Sequence, residues 1–326
     1  MTERELFAGI DLGGTKILVV ISDGDGKIIG SARTPTLAAQ GSDAVVGRIV
    51  ETTRAAAGDA GVEIAGLRAA GVSSPGPINV AEGVLTDPPN LPGWHNVPLA
   101  RILREHLSLP VFLENDANCA AVGEHRFGAG VGYRHLVYIT VSTGIGAGLI
   151  LDGRLYAGAS GAAGEVGHLI LAAEGPSCGA GHTGCLEALA SGTAIAARAR
   201  ETIDAGGLPR TARLAEQDPP LSAKTVYLAS QQGESEAAAI IEGAGRYLGM
   251  GLASLINVFN PQVIVIGGGL TNMGEALLGP AVETARARSF AQSFMDVRIV
   301  EAALGERGAA LGAIAVAKER CGHGPA

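Results

Sequence analysis

A chain of 326 residues with 47% apolar content exceeds the size at which a single core stops growing, so two domains are expected. Charged residues make up 17%, and the net charge is −8 with no basic run, which argues against a general nucleic-acid binder. No apolar run approaches the roughly 18 residues needed to span a bilayer, and residues 1–7 lack the apolar h-region of a signal peptide. A cytoplasmic protein with no membrane partner is expected.

Glycine, at 49 residues, is about twice its usual share of roughly 7%. It follows no G-X-Y period, so the excess points to tight turns or to backbone that approaches a ligand closely. Residues 6–10 and 17–21 are apolar runs joined by Asp11-Leu12-Gly13-Gly14-Thr15-Lys16, the pattern of a hairpin with a glycine turn. A second turn, Asp23-Gly24-Asp25-Gly26, leads into a third strand near residues 27–32. The first turn is either an ordinary hairpin turn or a phosphate clamp. In the clamp, bare backbone N–H groups and the Thr15 hydroxyl face a phosphate, and Asp11 holds Mg²⁺ through water. Lys16 is either a ligand or a solvated turn residue.

A helix follows from about Asp43, with Val45, Val46, Ile49, Val50 and Thr53 on one face and Ser42 as its cap. Residues 67–73 read as a strand ending at Ser74-Pro75-Gly76-Pro77, a rigid turn that brings backbone close to whatever lies in front of it. The proline-rich loop Asp87-Pro88-Pro89-Asn90-Leu91-Pro92-Gly93-Trp94 carries the only tryptophan and either wraps a small-molecule pocket or crosses the surface. Asn90 there either meets a sugar hydroxyl or makes an Asx-turn.

Residues 111–113 read as a buried strand, so Asp116 emerges where a strand gives way to an alanine-rich helix that runs to about Phe127. Ligand sites in open α/β sheets lie at the carboxyl ends of strands. Asp116 is accordingly either a general base or a helix cap. A strand over 136–141, the turn Ser142-Thr143-Gly144-Ile145-Gly146-Ala147-Gly148 and a strand over 149–151 repeat the logic of residues 6–21. Two such turns facing each other across a cleft would hold one polyphosphate from both sides.

Residues 206–220 are polar, contain a Pro-Pro pair and read as a surface connection. A helix is expected over 236–257, with Ala238, Ile241, Gly245, Leu248, Leu252 and Leu255 facing inward. A buried strand over 263–266 then meets Gly267-Gly268-Gly269. That turn is late in the chain and lacks the spacing of a dinucleotide fingerprint, which disfavours an NAD-dependent enzyme. The last helix, about 309–318, should return to the first domain. Chain order gives domains of 1–115 plus 307–326, and 116–306. The four cysteines, Cys119, Cys178, Cys185 and Cys321, are too few and scattered for a disulfide framework, but Cys178 and Cys185 lie close enough to share a metal.

Several strings occur in an informative order: Asp11-Leu-Gly-Gly-Thr-Lys16, Ser74-Pro-Gly-Pro77, Asn90-Leu-Pro-Gly-Trp94, Glu114-Asn-Asp-Ala-Asn118, Ser142-Thr-Gly-Ile-Gly146, Gly164-Glu-Val-Gly-His168 and Gly184-Cys-Leu-Glu187. In this order they resemble the ROK family of sugar kinases and sugar-responsive repressors, and Leu304-Gly-Glu-Arg-Gly-Ala-Ala-Leu-Gly-Ala313 is similar to its final helix. The resemblance implies an α/β, two-domain actin-like ATPase (ribonuclease H-like) fold with a central cleft. It implies an enzyme that transfers the γ-phosphoryl group of ATP, with Mg²⁺, to the 6-hydroxyl of glucose. Kinases of N-acetylmannosamine, N-acetylglucosamine or fructose are the alternatives. A repressor would carry a helix-turn-helix before Asp11, where ten residues stand. A homodimer or homotetramer is expected.

By the same resemblance Asp116 is the catalytic base, and Gly76, Asn90, Asn115, Glu165, His168 and Glu187 contact the sugar. Asp11, Gly13, Gly14, Thr15, Lys16, Thr143, Gly144 and Gly146 serve the phosphates, and Gly267 and Gly268 lie against the adenosine. Taken alone, Glu187 reads as a first-turn helix charge, His168 as a satisfied histidine and Glu165 as a solvated loop residue. The family also carries a structural zinc on one His and three Cys in a Cys-x-Cys-Gly-x-x-Gly-Cys run. Here His168, Cys178 and Cys185 are present, but Ala180 occupies the middle position. Structural zinc takes four ligands, so the site is completed by His182 or by water, or the loop has lost its metal.

Overall fold

The structure is a computed structural model that describes residues 5–322; the outermost ends of the expected domains, 1–4 and 323–326, lie outside the described residues. It divides into two compact units, the first built from the chain up to Arg134 with Gly148–Ala163 and the segment from Ala302, the second from His135–Ala147 and Gly164–Glu301.

The chain opens with strands β1 (Leu6–Leu12), β2 (Lys16–Asp23) and β3 (Ile28–Pro35), helix α1 (Ser42–Asp59) and strand β4 (Leu67–Ser74). A short hairpin, β5 (Ile78–Asn79) and β6 (Val84–Leu85), precedes helix α2 (Leu99–Leu107), strand β7 (Val111–Asn115) and helix α3 (Asp116–Phe127). Strands β8 (Leu136–Val141), β9 (Ile145–Leu151) and β10 (Arg154–Leu155) follow, then helices α4 (Leu186–Ala190), α5 (Gly192–Asp204), α6 (Pro209–Gln217), α7 (Ala223–Gln231) and α8 (Ser235–Phe259). Strand β11 (Val263–Gly267), helices α9 (Glu275–Arg288) and α10 (Ala291–Asp296), strand β12 (Arg298–Glu301) and helix α11 (Gly308–Gly322) complete it.

The first sheet has the order β3-β2-β1-β4-β7. Its first three strands are antiparallel, and β4 and β7 join parallel to β1. Strands flanked by helices on both faces lose the polar alternation of a half-exposed sheet, and β1, β2 and β4 are accordingly near-continuous apolar runs. One face packs Ile10, Leu12, Ile17 and Val19 against Val45, Ile49, Leu103 and the fully buried Trp94. The other face packs Phe7, Val20 and Ala69 against Ala310 and Ile314 of α11. The second sheet has the order β10-β9-β8-β11-β12, with β8, β11 and β12 parallel.

The observed boundary between the units differs from the expected one at residue 115. Helix α3 packs on α11 at backbone distance: a Cβ added to Gly312 would stand 1.6 Å from the Cys119 carbonyl oxygen. The buried Glu124 of α3 also accepts the backbone N–H groups of Ala303 (3.1 Å) and Leu304 (2.8 Å). These contacts, invisible to chain order, tie α3 to the first unit.

Three local expectations are corrected. Ser42 is the first residue of α1 and makes no side-chain cap; Gly41 occupies the cap position. In α8 the inward residue of the first turn is Ala237, and Ala238 is exposed. The expected surface connection over 206–220 contains α6, which starts at Pro209, the first-turn position where a missing N–H costs nothing. Its free N–H groups are met from a distance: Glu234 accepts Arg210 N (2.7 Å) and Thr211 N (3.0 Å).

Burial pulls the Glu234 carboxyl up, but the Thr211 hydroxyl, those backbone N–H groups and the Arg210 charge outweigh it and hold the group below the ordinary glutamate range. A depressed carboxylate stabilises the fold above its unfolded value and loses that contribution as pH falls through the lowered folded one. Hydrogen exchange should therefore show the α6 amides protected at neutral pH and opening as acid protonates Glu234. In Glu234→Ala the same amides should exchange rapidly at all pH values. Among the described residues no helix is long and apolar enough to cross a membrane.

Candidate active site and zinc-type loop

Three parallel strands of the first unit end side by side. Asp11 on β1 stands opposite Ser73 on β4, and Ser74 opposite Asn115 on β7. The Ser73 hydroxyl donates to Asp11 Oδ1 at 3.0 Å. Burial raises the Asp11 carboxyl above its ordinary value, against the opposing hydrogen bond from Ser73 and charge of Lys16. The turn that follows is closed by Gly13 N to Lys16 O at 2.9 Å and braced by the Thr36 hydroxyl on Gly13 O at 2.6 Å. Gly14 lies so near the Asn90 loop that a Cβ there would be 3.0 Å from Asn90 O. Trp94, buried in the core of the same unit, anchors that loop. Lys16 is engaged by Glu306 at 2.6 Å.

At the end of β7 the expected alternatives for Asp116 separate. The cap of α3 is Asn115, whose Oδ1 accepts Ala117 N at 2.9 Å and Asn118 N at 3.2 Å. Asp116 is the first helical residue, and its Oδ1 accepts Ala117 N at 2.8 Å. With the cap supplied by its neighbour, Asp116 is not required to end the helix. Gly76 sits beside the junction, its Cβ position 3.7 Å from Asn115 Nδ2.

Beneath the junction lies a network not read from the sequence. Glu114, 2% exposed, accepts Asn118 Nδ2 at 3.0 Å, its neighbour's backbone N–H at 3.1 Å and Arg320 Nη2 of α11 at 2.5 Å. Arg320 also donates to Leu113 O at 3.0 Å. An acid at the end of a buried strand was the available signal, because a buried carboxylate demands a partner. The partner's position, more than 200 residues away by the separation of 206, carried none.

In the second unit β8 and β11 are adjacent and parallel, with Thr140 opposite Gly267. Their turns therefore lie together. A Cβ on Gly268, where φ is +93°, would stand 2.4 Å from Val141 O. Thr143 is exposed, and its carbonyl accepts Thr193 N (3.1 Å) and the Thr193 hydroxyl (2.9 Å) at the start of α5. Glu187, in the first turn of α4, accepts Ile145 N at 3.0 Å, and a Cβ on Gly144 would meet that carboxylate at 2.5 Å. One Glu187 oxygen is thus spent on the glycine turn. Glu165 is exposed, and His168 closes a 3-10 turn over Val166–His168.

The loop beyond that turn gathers the metal-type ligands. Cys178 N donates to His182 O at 2.9 Å, closing a turn with Ala180 at its exposed tip. That closure places Cys178 and His182 on the same side. Donor atoms of His168, Cys178 and His182 lie within 4.8 Å of one another, with Cys178 Sγ 3.7 Å from His168 Nδ1. The buried Cys185 thiol is pushed up by burial and then by the neighbouring Cys178 thiol. Two imidazoles and the Cys178 thiol therefore meet at one end of the loop, with the Cys185 thiol beside Cys178; imidazole and thiolate are donor types that suit zinc.

Glycine turns that each join two strands, repeated on two sheets with helices against them, define a protein of the actin-like ATPase fold. The chain belongs to the ROK family, which it matches over residues 7–320. It is 37% identical to a glucokinase of Thermotoga maritima, covering 96% of this chain and 98% of that protein. Among solved structures it is similar to a ROK hexokinase from Thermus thermophilus (TM-score 0.82, 36% identity, 98% and 100% of the two chains). It is also similar to a ROK glucokinase from Streptomyces griseus in complex with glucose and AMPPNP (TM-score 0.81, 31% identity, 97% and 100%).

Proposed function

We propose that this protein is an ATP-dependent hexose kinase that transfers the γ-phosphoryl group of ATP to the 6-hydroxyl of glucose. The observation that carries the reading is Asp116, a carboxylate at the carboxyl end of β7 that a neighbouring residue frees from capping duty. Similarity along nearly the whole chain to glucokinases supports the choice of sugar.

In this reading Asp116 accepts the proton of the reacting hydroxyl, and Asn115, Asn90 and the Gly76 turn position the sugar beside it. Glu165, His168 and the second oxygen of Glu187 hold hydroxyls near the reducing end. The Gly14-Thr15 and Thr143-Gly144 turns present N–H and hydroxyl donors to phosphate oxygens, and the Gly267-Gly268 turn lies against the adenosine. Phosphoryl transfer depends on alignment and charge neutralisation more than on covalent help from the protein. Asp11 fits a hard cation, because a buried carboxylate beside a hydroxyl is an oxygen site with charge to offset. Mg²⁺ held there would neutralise charge on the transferring group. A coupled assay of ADP release with glucose, N-acetylmannosamine, N-acetylglucosamine and fructose tests the proposal. Glucose should give the greatest kcat/KM, and no sugar-stimulated ADP release would overturn it.

His168, Cys178, His182 and Cys185 would hold a structural zinc, with His182 in place of the cysteine replaced by Ala180. Its contribution is to order the loop that presents His168 and Glu187. Protein purified without added zinc should carry close to one zinc per chain, and His182→Ala should lose most of it. Less than about 0.1 zinc per chain in the unaltered protein, against the full occupancy of a four-ligand site, would retire the assignment.

A further inference from the structure

Helices α8 and α9 run together so closely that a Cβ on Gly249 would stand 2.4 Å from Ala281 O. Beside this seam, and bounded by α5, lies a cavity of about 630 Å³ whose lining includes Arg198, Arg246, Tyr247, Met250, Thr284 and Arg288. Its size falls within the range of small-molecule sites. Three arginines line it in a chain whose net charge is −8. Arg246 is paired with Glu242 one turn earlier at 2.5 Å. Among the described residues neither Arg198 nor Arg288 has a carboxylate partner.

Like charges gathered around one concavity repel, and an anion seated there relieves the repulsion. The cationic groups are all arginine, whose planar fork matches phosphate oxygens two at a time where an ammonium offers a point charge. Tyr247 and Thr284, both hydroxyl-bearing, and Met250 also belong to the lining. The cavity is separate from the turn assigned to adenosine: neither Gly267 nor Gly268 is among its lining residues.

We propose that this cavity is a binding site for a small phosphate-bearing anion, distinct from the sites for sugar and nucleotide. The inference does not depend on the kinase reading, because its readout is binding.

Titration calorimetry of the full chain with inorganic pyrophosphate at low ionic strength, where surface charge is least screened, tests it. ADP at saturating concentration covers the glycine turns in the same experiment. The unaltered protein should bind pyrophosphate, and Arg198→Ala/Arg288→Ala should weaken that binding about tenfold or more, as loss of two charge-assisted contacts requires. Arg198→Lys/Arg288→Lys, which keeps charge and loses the fork, should fall between them. The thermal midpoint of each variant should match the unaltered protein. Unchanged pyrophosphate affinity in the alanine double variant would overturn the proposal. So would citrate binding as tightly as pyrophosphate, since that would make the site a general anion trap. Orthophosphate and glycerol 3-phosphate run in parallel distinguish free phosphate from a phosphomonoester as the preferred form.

Discussion

Asp116→Asn is expected to fold, to bind sugar and to lose about 10² to 10⁴ of its turnover, the usual contribution of a positioned general base. Folding should survive because the bond that Oδ1 accepts from Ala117 N at 2.8 Å is available to an asparagine oxygen. The α3 cap belongs to Asn115 and is untouched. An amide cannot accept the proton of the attacking hydroxyl, so kcat should fall while the sugar dissociation constant moves little. That split distinguishes a base from a residue that only holds the sugar, whose loss would raise KM. If the base also aligns the hydroxyl, the loss will exceed the upper figure. Turnover by Asp116→Asn within tenfold of the unaltered protein would sink the assignment.

What the sequence revealed and what it hid follow from the range of the interactions. The hairpin at residues 6–21, the strand before Asn115 and the strand before Gly267 were legible because each is a local pattern of apolar residues bounded by a glycine turn or a capping group. Helix α6 was hidden for the opposite reason: its N-terminal N–H groups are satisfied by Glu234, 24 residues away from Arg210. The same holds for the unit boundary, which depends on Gly123 and Gly312 letting α3 and α11 touch at backbone distance.

Within the candidate site, residue types were readable and burdens were not. The sequence could nominate Asn115 and Asp116, but not decide which of them caps the helix. It could nominate Glu187, but not show that one oxygen is committed to Ile145 N. His182 was readable only as a residue close to the lost cysteine. The hydrogen bond from Cys178 N to His182 O is what turns proximity in sequence into proximity in space.

The largest expected effect on stability lies at the other end of α11, in Arg320→Ala. Glu114 is 2% exposed, and among the described residues Arg320 is its cationic partner. Removing one partner of a buried pair leaves an uncompensated charge and costs about 3–5 kcal/mol. The Arg320 side chain is 33% exposed, so water screens part of the interaction and the lower end, about 3 kcal/mol, is expected. Urea unfolding should show the loss as a lower midpoint at unchanged slope. Glu114→Gln/Arg320→Leu should recover much of it, because no charge then remains to be stranded and the amide can keep the bonds to Asn115 N and Asn118. The two variants together separate a charge effect from loss of packing by the arginine stem: an equal loss in both would assign the effect to packing. Because Glu114 holds the backbone N–H of Asn115 and the side chain of Asn118 on either side of Asp116, the single variant should also slow phosphoryl transfer, and the double variant should restore rate and stability together.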